Sequence, residues 1–129
     1  MIQAHRVDGF SIRIRAGNHD LLSDVDHKLG GTDSGPGPHE LLESALGACT
    51  SITVQMYADR KGWKLESCDV TVKFVREDKE KIIIERVIDL KGSLDATQRQ
   101  RLFEIAEKCP IHEVLVRGAE VRSRQAGPA

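Results

Sequence analysis

Residues 10–15, FSIRIR, alternate strictly, with Phe10, Ile12 and Ile14 on one face and Ser11, Arg13 and Arg15 on the other. A period of two is that of a half-buried strand. Ala16-Gly17-Asn18 is turn chemistry, and HDLLSDVDHKL (19–29) has room for two short strands. GGTDSGPGP (30–38) carries four Gly and two Pro and reads as a loop leading into a helix, with Pro38 at the first helical position.

The period then changes. From about Pro38 to Lys61 only Gly47 interrupts a helical run, and Gly62 supplies a left-handed end. Leu42, Ala45, Cys49, Ile52 and Met56 recur at steps of three and four, with Leu46 and Thr53 beside them and Leu41, Ala48 and Val54 widening the apolar surface. The spacing predicts a long helix buried on more than one side, a central element at a dimer interface. Alternation returns in Asp69–Val75 (Val70, Val72 and Phe74 inward) and in Lys81–Leu90 (Ile82, Ile84, Ile88 and Leu90 on one side), joined by a charged hairpin loop, REDKEK. Asp95-Ala96-Thr97-Gln98 has the form of a capping box and opens a second helix with the stripe Leu102, Ile105, Ala106, Cys109. Pro110 is read as its stop, and residues 113–124 alternate loosely as a last strand. The predicted class is α+β, with helices on one face of antiparallel sheet, in one domain over residues 1–129.

Composition narrows the function classes. The chain has 129 residues, 40% hydrophobic and 30% charged, enough for a core and unlike a disordered segment. A net charge of −1 with no basic block argues against nucleic acid or anionic membrane as partner. No stretch approaches the roughly 20 apolar residues of a membrane span. The N-terminal residues lack a signal-peptide pattern and the three cysteines are odd in number, which together point to a reducing cytoplasm.

The chemistry rests on the cysteines. Cys49, among Ala45, Gly47, Ala48, Thr50 and Ser51, and Cys109, before Pro110, lie on the apolar stripes of the two helices. Buried cysteines commonly pack as small hydrophobes. Gly inside a helix costs about 1 kcal/mol relative to Ala, however, so close approach near Cys49 has a use, whether packing or access to sulfur. A thiol that forms sulfenic acid needs a resolving thiol able to reach it, and Cys49 with Cys109 form a candidate pair. Cys68, at a strand start, reads as structural. Cys109 and His112 have a metal-like spacing, but no second close pair accompanies them, so no metal or other cofactor is expected.

GGTDSGPGPHELLESALGACTSITVQMYADRKGW (30–63) and LFEIAEKCPIHEVL (102–115), with cysteines about 60 residues apart, carry a family resemblance along nearly the whole chain. The sequence resembles the OsmC/Ohr family of osmotically inducible and organic hydroperoxide resistance proteins, nearest its OsmC-like branch. The resemblance implies an OsmC-like fold, an intertwined homodimer with antiparallel sheets and a long central helix, and active sites at the subunit interface. It implies a cysteine-based organic hydroperoxide reductase (a peroxidase of oxidative stress response). Cys49 would be the peroxidatic thiol, Cys109 the resolving thiol that forms a disulfide with it, and an external dithiol such as a lipoyl protein the reductant. Glu40 matches the family's acidic residue near the sulfur, one residue out of register with Ohr and OsmC proper, where His39 stands. Nine residues place Glu40 opposite Cys49 and about 13 Å away along an ideal helix, so it would act on the partner subunit's sulfur. The family arginine is not matched after the first strand, where Gly17-Asn18-His19-Asp20 stand; His19, Arg13 and Arg15 are the candidate cations. The alternatives are a non-enzymatic dimer that binds an apolar ligand in the interface cleft and a thiol-dependent hydrolase.

Overall fold

The computed structural model describes residues 1–127. Its elements run β1 (Ile2–Asp8), β2 (Ser11–Ala16), β3 (His19–Ser23), a 3-10 turn (His27–Leu29), α1 (Pro38–Lys61), β4 (Lys64–Glu77), β5 (Ile82–Ser93), α2 (Ala96–Ala106) and α3 (Pro110–Arg117). The class is α+β with antiparallel sheets and one long helix, as the periodicities predict. Strands β1, β2 and β3 form one sheet in chain order, and β4 and β5 pair in a second. Two compact units share the chain: Met1–Ala45 with Lys73–Ile83, and Leu46–Val72 with the described residues from Ile84 on.

In the first unit the FSIRIR strand lies centrally, as β2. It pairs antiparallel with β1 from Ile2↔Ala16 onward, with an irregularity between Arg6 and Asp8, and with β3 from Ile12↔Ser23 to Ala16↔His19. The second register leaves Gly17-Asn18 as a two-residue hairpin, and Gly17 takes the positive φ (60°) that such a turn asks of its first residue. Only His19–Ser23 of the next segment is strand; Asp26 then caps the 3-10 turn.

The glycine-rich loop is held by one carboxylate. Asp24 is 2% exposed. Its Oδ2 accepts from the Ser34 hydroxyl (2.7 Å), the Thr32 hydroxyl (2.8 Å) and both their backbone N–H groups (3.2 Å each), while Oδ1 accepts from Val25 N–H (2.7 Å). The Ser34 and Thr32 hydroxyls, with the Val25 N–H, hold this carboxyl well below the usual carboxylate range. Backbone approach is so close that a Cβ on Gly31 would lie 2.0 Å from Val25 O, and one on Gly35 2.1 Å from Leu22 O. The Gly content of the loop is therefore steric as well as flexible.

In the second unit the core joins Val54 and Ala58 of α1, Leu65 and Cys68 of β4, and Leu102, Ile105 and Ala106 of α2, flanked by Tyr57, Trp63, Val70, Ile88, Leu90 and Leu94. The capping box forms: Asp95 Oδ1 accepts from Gln98 N–H (2.8 Å) and Gln98 Oε1 from Asp95 N–H (3.0 Å).

Two expectations are corrected. The buried stripe of α1 is Leu46, Thr50, Val54, Ala58, a strict four-residue ladder, whereas Leu42 (41%), Ile52 (59%) and Met56 (59%) of the expected stripe are exposed. With apolar residues nearly all round this helix, spacing could not choose the buried face, and the small Thr50 and Ala58 are the residues that let α2 and the β4–β5 hairpin approach. The last strand does not form. Residues 110–117 are the helix α3, because Pro110 opens a helix as readily as it closes one: it occupies N1, with Cys109 as N-cap (φ −63°, ψ 141°).

Candidate thiol site

Arg86 organises the site. It lies on β5 at an inward position, in phase with Ile84, Ile88 and Leu90, and its side chain is only 8% exposed. A guanidinium buried this far must find acceptors. Nη1 donates to Thr50 Oγ1 (2.9 Å) and to Ala106 O (3.2 Å) and lies 4.0 Å from Cys109 Sγ. Nη2 donates to His112 Nδ1 (3.3 Å) and lies 3.6 Å from Glu107 Oε2. Because Arg offers only donors, His112 Nδ1 must accept; the ring's proton then sits on Nε2, which meets Glu107 Oε2 at 3.2 Å.

Cys109 is fully buried in this cluster. Its sulfur accepts from His112 N–H (3.3 Å) at the start of α3 and lies 3.8 Å from the Thr50 hydroxyl. Thr50 also donates to Leu46 O (2.7 Å), a bond that fixes its rotamer. Positive charge and one helix-terminal N–H therefore converge on the Cys109 sulfur.

Cys49, the neighbour of Thr50 along α1, is half-buried, and its sulfur lies 3.9 Å from Thr53 Oγ1. The structure thus brings Cys109 against the residue that adjoins Cys49, with all three cysteines in the free thiol form. Cys68 belongs to the core, where burial pushes its thiol up and the Ser51 hydroxyl bonds its carbonyl (2.9 Å). Among the described residues no group of three or more His, Cys, Asp and Glu is placed to hold a metal ion, and no helix is long and apolar enough to cross a membrane.

The other predicted residues lie in the first unit. Glu40 is in the first turn of α1, where Oε1 accepts from Gly37 N–H (3.0 Å). Beside it His39 pairs with Glu77 (2.9 Å) and packs edge-on to Phe74, and the Glu77 hydrogen bond and charge raise its imidazole above the ordinary value. Arg15 is bound to Gly17 O (2.9 Å) and Asp20 (2.9 Å), Arg13 is on the exposed face of β2, and His19 opens β3. The cation that lies beside Cys109 is Arg86, which is not among the three candidates named for Cys49 and which the sequence reading passed over. Its signal was present: the stripe Ile82, Ile84, Ile88, Leu90 skips one in-phase position, and the residue there is an arginine.

Comparison with known proteins agrees with this architecture. Residues 31–124 match the family described as OsmC-like protein. A search of curated protein sequences finds no match. Among solved structures, an OsmC-like protein from Mycoplasma pneumoniae is 20% identical with a TM-score of 0.77, over 90% of this chain and 86% of that one. The organic hydroperoxide resistance protein OhrB of Bacillus subtilis is 20% identical with a TM-score of 0.62, over 88% and 87%. An organic hydroperoxide resistance protein OsmC from Legionella pneumophila is 19% identical with a TM-score of 0.64, over 89% and 87%. These likenesses concern the fold, while the family match covers well over half of the sequence. The chain belongs to the OsmC-like protein family.

Proposed function

We propose that this protein is a cysteine-based peroxidase that reduces organic hydroperoxides through a Cys49 sulfenic acid and a Cys49–Cys109 disulfide. The observation that carries the reading is Thr50, next in sequence to the half-buried Cys49: its hydroxyl lies 3.8 Å from Cys109 Sγ and accepts from Arg86 Nη1 at 2.9 Å. Two related structures carry the name organic hydroperoxide resistance protein, which supports the substrate class.

The Cys49 thiolate attacks the distal peroxide oxygen; the O–O bond breaks, the alcohol leaves with a proton, and sulfur is oxidised to sulfenic acid. The Cys109 sulfur then attacks the sulfenic sulfur and water leaves, forming the disulfide. An external dithiol, a lipoyl protein by the family resemblance, returns both thiols by exchange. Half-burial lets Cys49 meet a substrate while Cys109 stays covered. In this reading the protein is a homodimer of a reducing compartment, and Glu40 acts across the dimer at the second subunit's Cys49.

The test is to treat the reduced protein with excess tert-butyl hydroperoxide and map its thiols by mass spectrometry. A Cys49–Cys109 disulfide is expected. Both thiols remaining free would sink the reading. Binding of an apolar ligand has one observation in its favour: a cleft of about 420 Å³ in the first unit, lined by Phe10, Ile12, Val25, Leu29 and Pro38. That reading predicts ligand binding unchanged when Cys49 and Cys109 are both replaced by Ser.

A further inference from the structure

We infer that Arg86 serves the second half of the thiol cycle: it is the catalytic cation of Cys109, the resolving and leaving sulfur, and Glu107 and His112 position it there. The inference takes its place in the cycle from the proposed peroxidase reading, but its chemistry can be read without peroxide.

The asymmetry between the two cysteines carries it. Cys49 meets a neutral hydroxyl, Thr53 Oγ1, at 3.9 Å. Cys109 meets the Arg86 guanidinium at 4.0 Å, the His112 N–H at 3.3 Å and the Thr50 hydroxyl at 3.8 Å, with no exposure to solvent. The guanidinium and the His112 N–H suit a negative sulfur, while the Thr50 hydroxyl gives its one proton to Leu46 O. Such a sulfur is wanted twice. In resolution, Cys109 attacks the electrophilic sulfur on Cys49. In regeneration, the incoming thiolate attacks the less buried Cys49 sulfur, the S–S bond breaks, and Cys109 departs with the electron pair into the field of Arg86. A leaving thiolate stabilised in this way departs faster.

The two supporting residues have distinct parts. Arg86 Nη2 is aimed by His112 Nδ1 (3.3 Å) and Glu107 Oε2 (3.6 Å), and Glu107 also holds the His112 proton on Nε2 (3.2 Å). The plane of the guanidinium is thereby set, and Nη1 is directed between Thr50 and Cys109. His112 donates to the sulfur through its backbone N–H and aims Arg86 through its ring.

The experiment uses 5,5′-dithiobis(2-nitrobenzoate). Cys49 takes one thionitrobenzoate and expels the other; Cys109 then attacks the Cys49 sulfur and expels the second, giving two phases of colour and an intramolecular disulfide. In Arg86→Gln the second phase is expected to slow about tenfold more than the first, from loss of a charge-assisted interaction at the sulfur. Arg86→Lys should recover part of it, and Glu107→Gln should slow it in the same direction by a few-fold. Glu107 is half-exposed, so its variant reads the role even if Arg86→Gln does not fold. A second phase unchanged by these substitutions, or slowed only in step with the first, would overturn the inference. So would a stable mixed disulfide on Cys49 in the unsubstituted protein. Two normal phases in a protein that leaves peroxide untouched would sink the peroxidase reading and leave the role of Arg86 standing.

Discussion

Replacing Thr50 with Val removes one hydroxyl and preserves shape, and it strikes the joint of the thiol site. The hydroxyl accepts from Arg86 Nη1 at 2.9 Å and donates to Leu46 O at 2.7 Å, in a residue with no solvent exposure. Leu46 O keeps its helical partner, the Thr50 N–H, so no carbonyl is orphaned. Arg86 Nη1 keeps Ala106 O but loses Thr50. A hydrogen bond to a charged group contributes about 1.5–3 kcal/mol, and the methyl that replaces the hydroxyl returns about 0.8 kcal/mol of burial. The net loss is about 1–2 kcal/mol. At about 2.1 cal/mol/K of unfolding entropy per residue, a chain of 129 residues should melt about 4–7 °C lower. The assay is thermal and urea unfolding at fixed protein concentration, for Thr50→Val, Arg86→Met and the double variant. The two residues should couple by more than about 1 kcal/mol, well above the few tenths expected of independent sites. Additive effects, or an unchanged melting temperature in Thr50→Val, would refute the claim that Thr50 satisfies Arg86.

Three further outcomes follow from the geometry. A Cβ on Gly47 would meet Val72 Cγ2 at 3.6 Å, an ordinary contact, so Gly47→Ala should raise the melting temperature through about 1 kcal/mol of helix propensity; a fall would mean that something outside this chain packs on that face. The raised His39 stabilises the fold fully below its unfolded value, near pH 6.5, and this contribution is lost as pH rises through the higher folded value; Glu77→Gln, which leaves only the weaker pull of Glu43, should shrink that dependence and lower the His39 NMR titration midpoint, and an unmoved midpoint would exclude the pair as its main cause. Asp24 contributes the opposite way, its stabilisation present above the ordinary carboxylate range and lost as pH falls below about 4, so the urea midpoint of Asp24→Asn should vary less between pH 5 and 3 than that of the unsubstituted protein; equal slopes would deny Asp24 that role.

The patterns that rest on short-range sterics were legible in the sequence. FSIRIR, the Gly17-Asn18 turn, the Pro38 start and the Asp95–Gln98 box each state their structure within a few residues. What needed the tertiary fold was choice among equivalent faces. On α1 apolar residues surround the axis, and the buried ladder was decided by which side chains were small enough for a neighbour to approach, Thr50 and Ala58. Pro110 is compatible with both a stop and a start; its role as a start depends on Cys109 turning its sulfur toward the His112 N–H, a contact no pattern of hydrophobicity encodes. Cys49 and Cys109 could be named as a candidate pair because both sit on apolar stripes. The cation beside Cys109 could not be found by looking near the family's usual position, since Arg86 comes from a strand whose apolar rhythm it interrupts.

The N-cap of α3 ties covalent chemistry to folding. The Cys109 sulfur that accepts the His112 N–H is also the atom that a disulfide would turn toward another sulfur. Oxidising it weakens a cap, and a lost cap costs a helix about 1 kcal/mol. Thermodynamic linkage makes that cost reciprocal: whatever oxidation takes from α3, the folded helix adds to the preference for the reduced thiol. For a two-electron couple about 1 kcal/mol corresponds to about 20 mV. In the proposed cycle the eight residues of α3 would act as a potentiometer for the thiol before them, and a substitution that strengthens this helix, far from any reacting atom, is expected to make the disulfide a stronger oxidant.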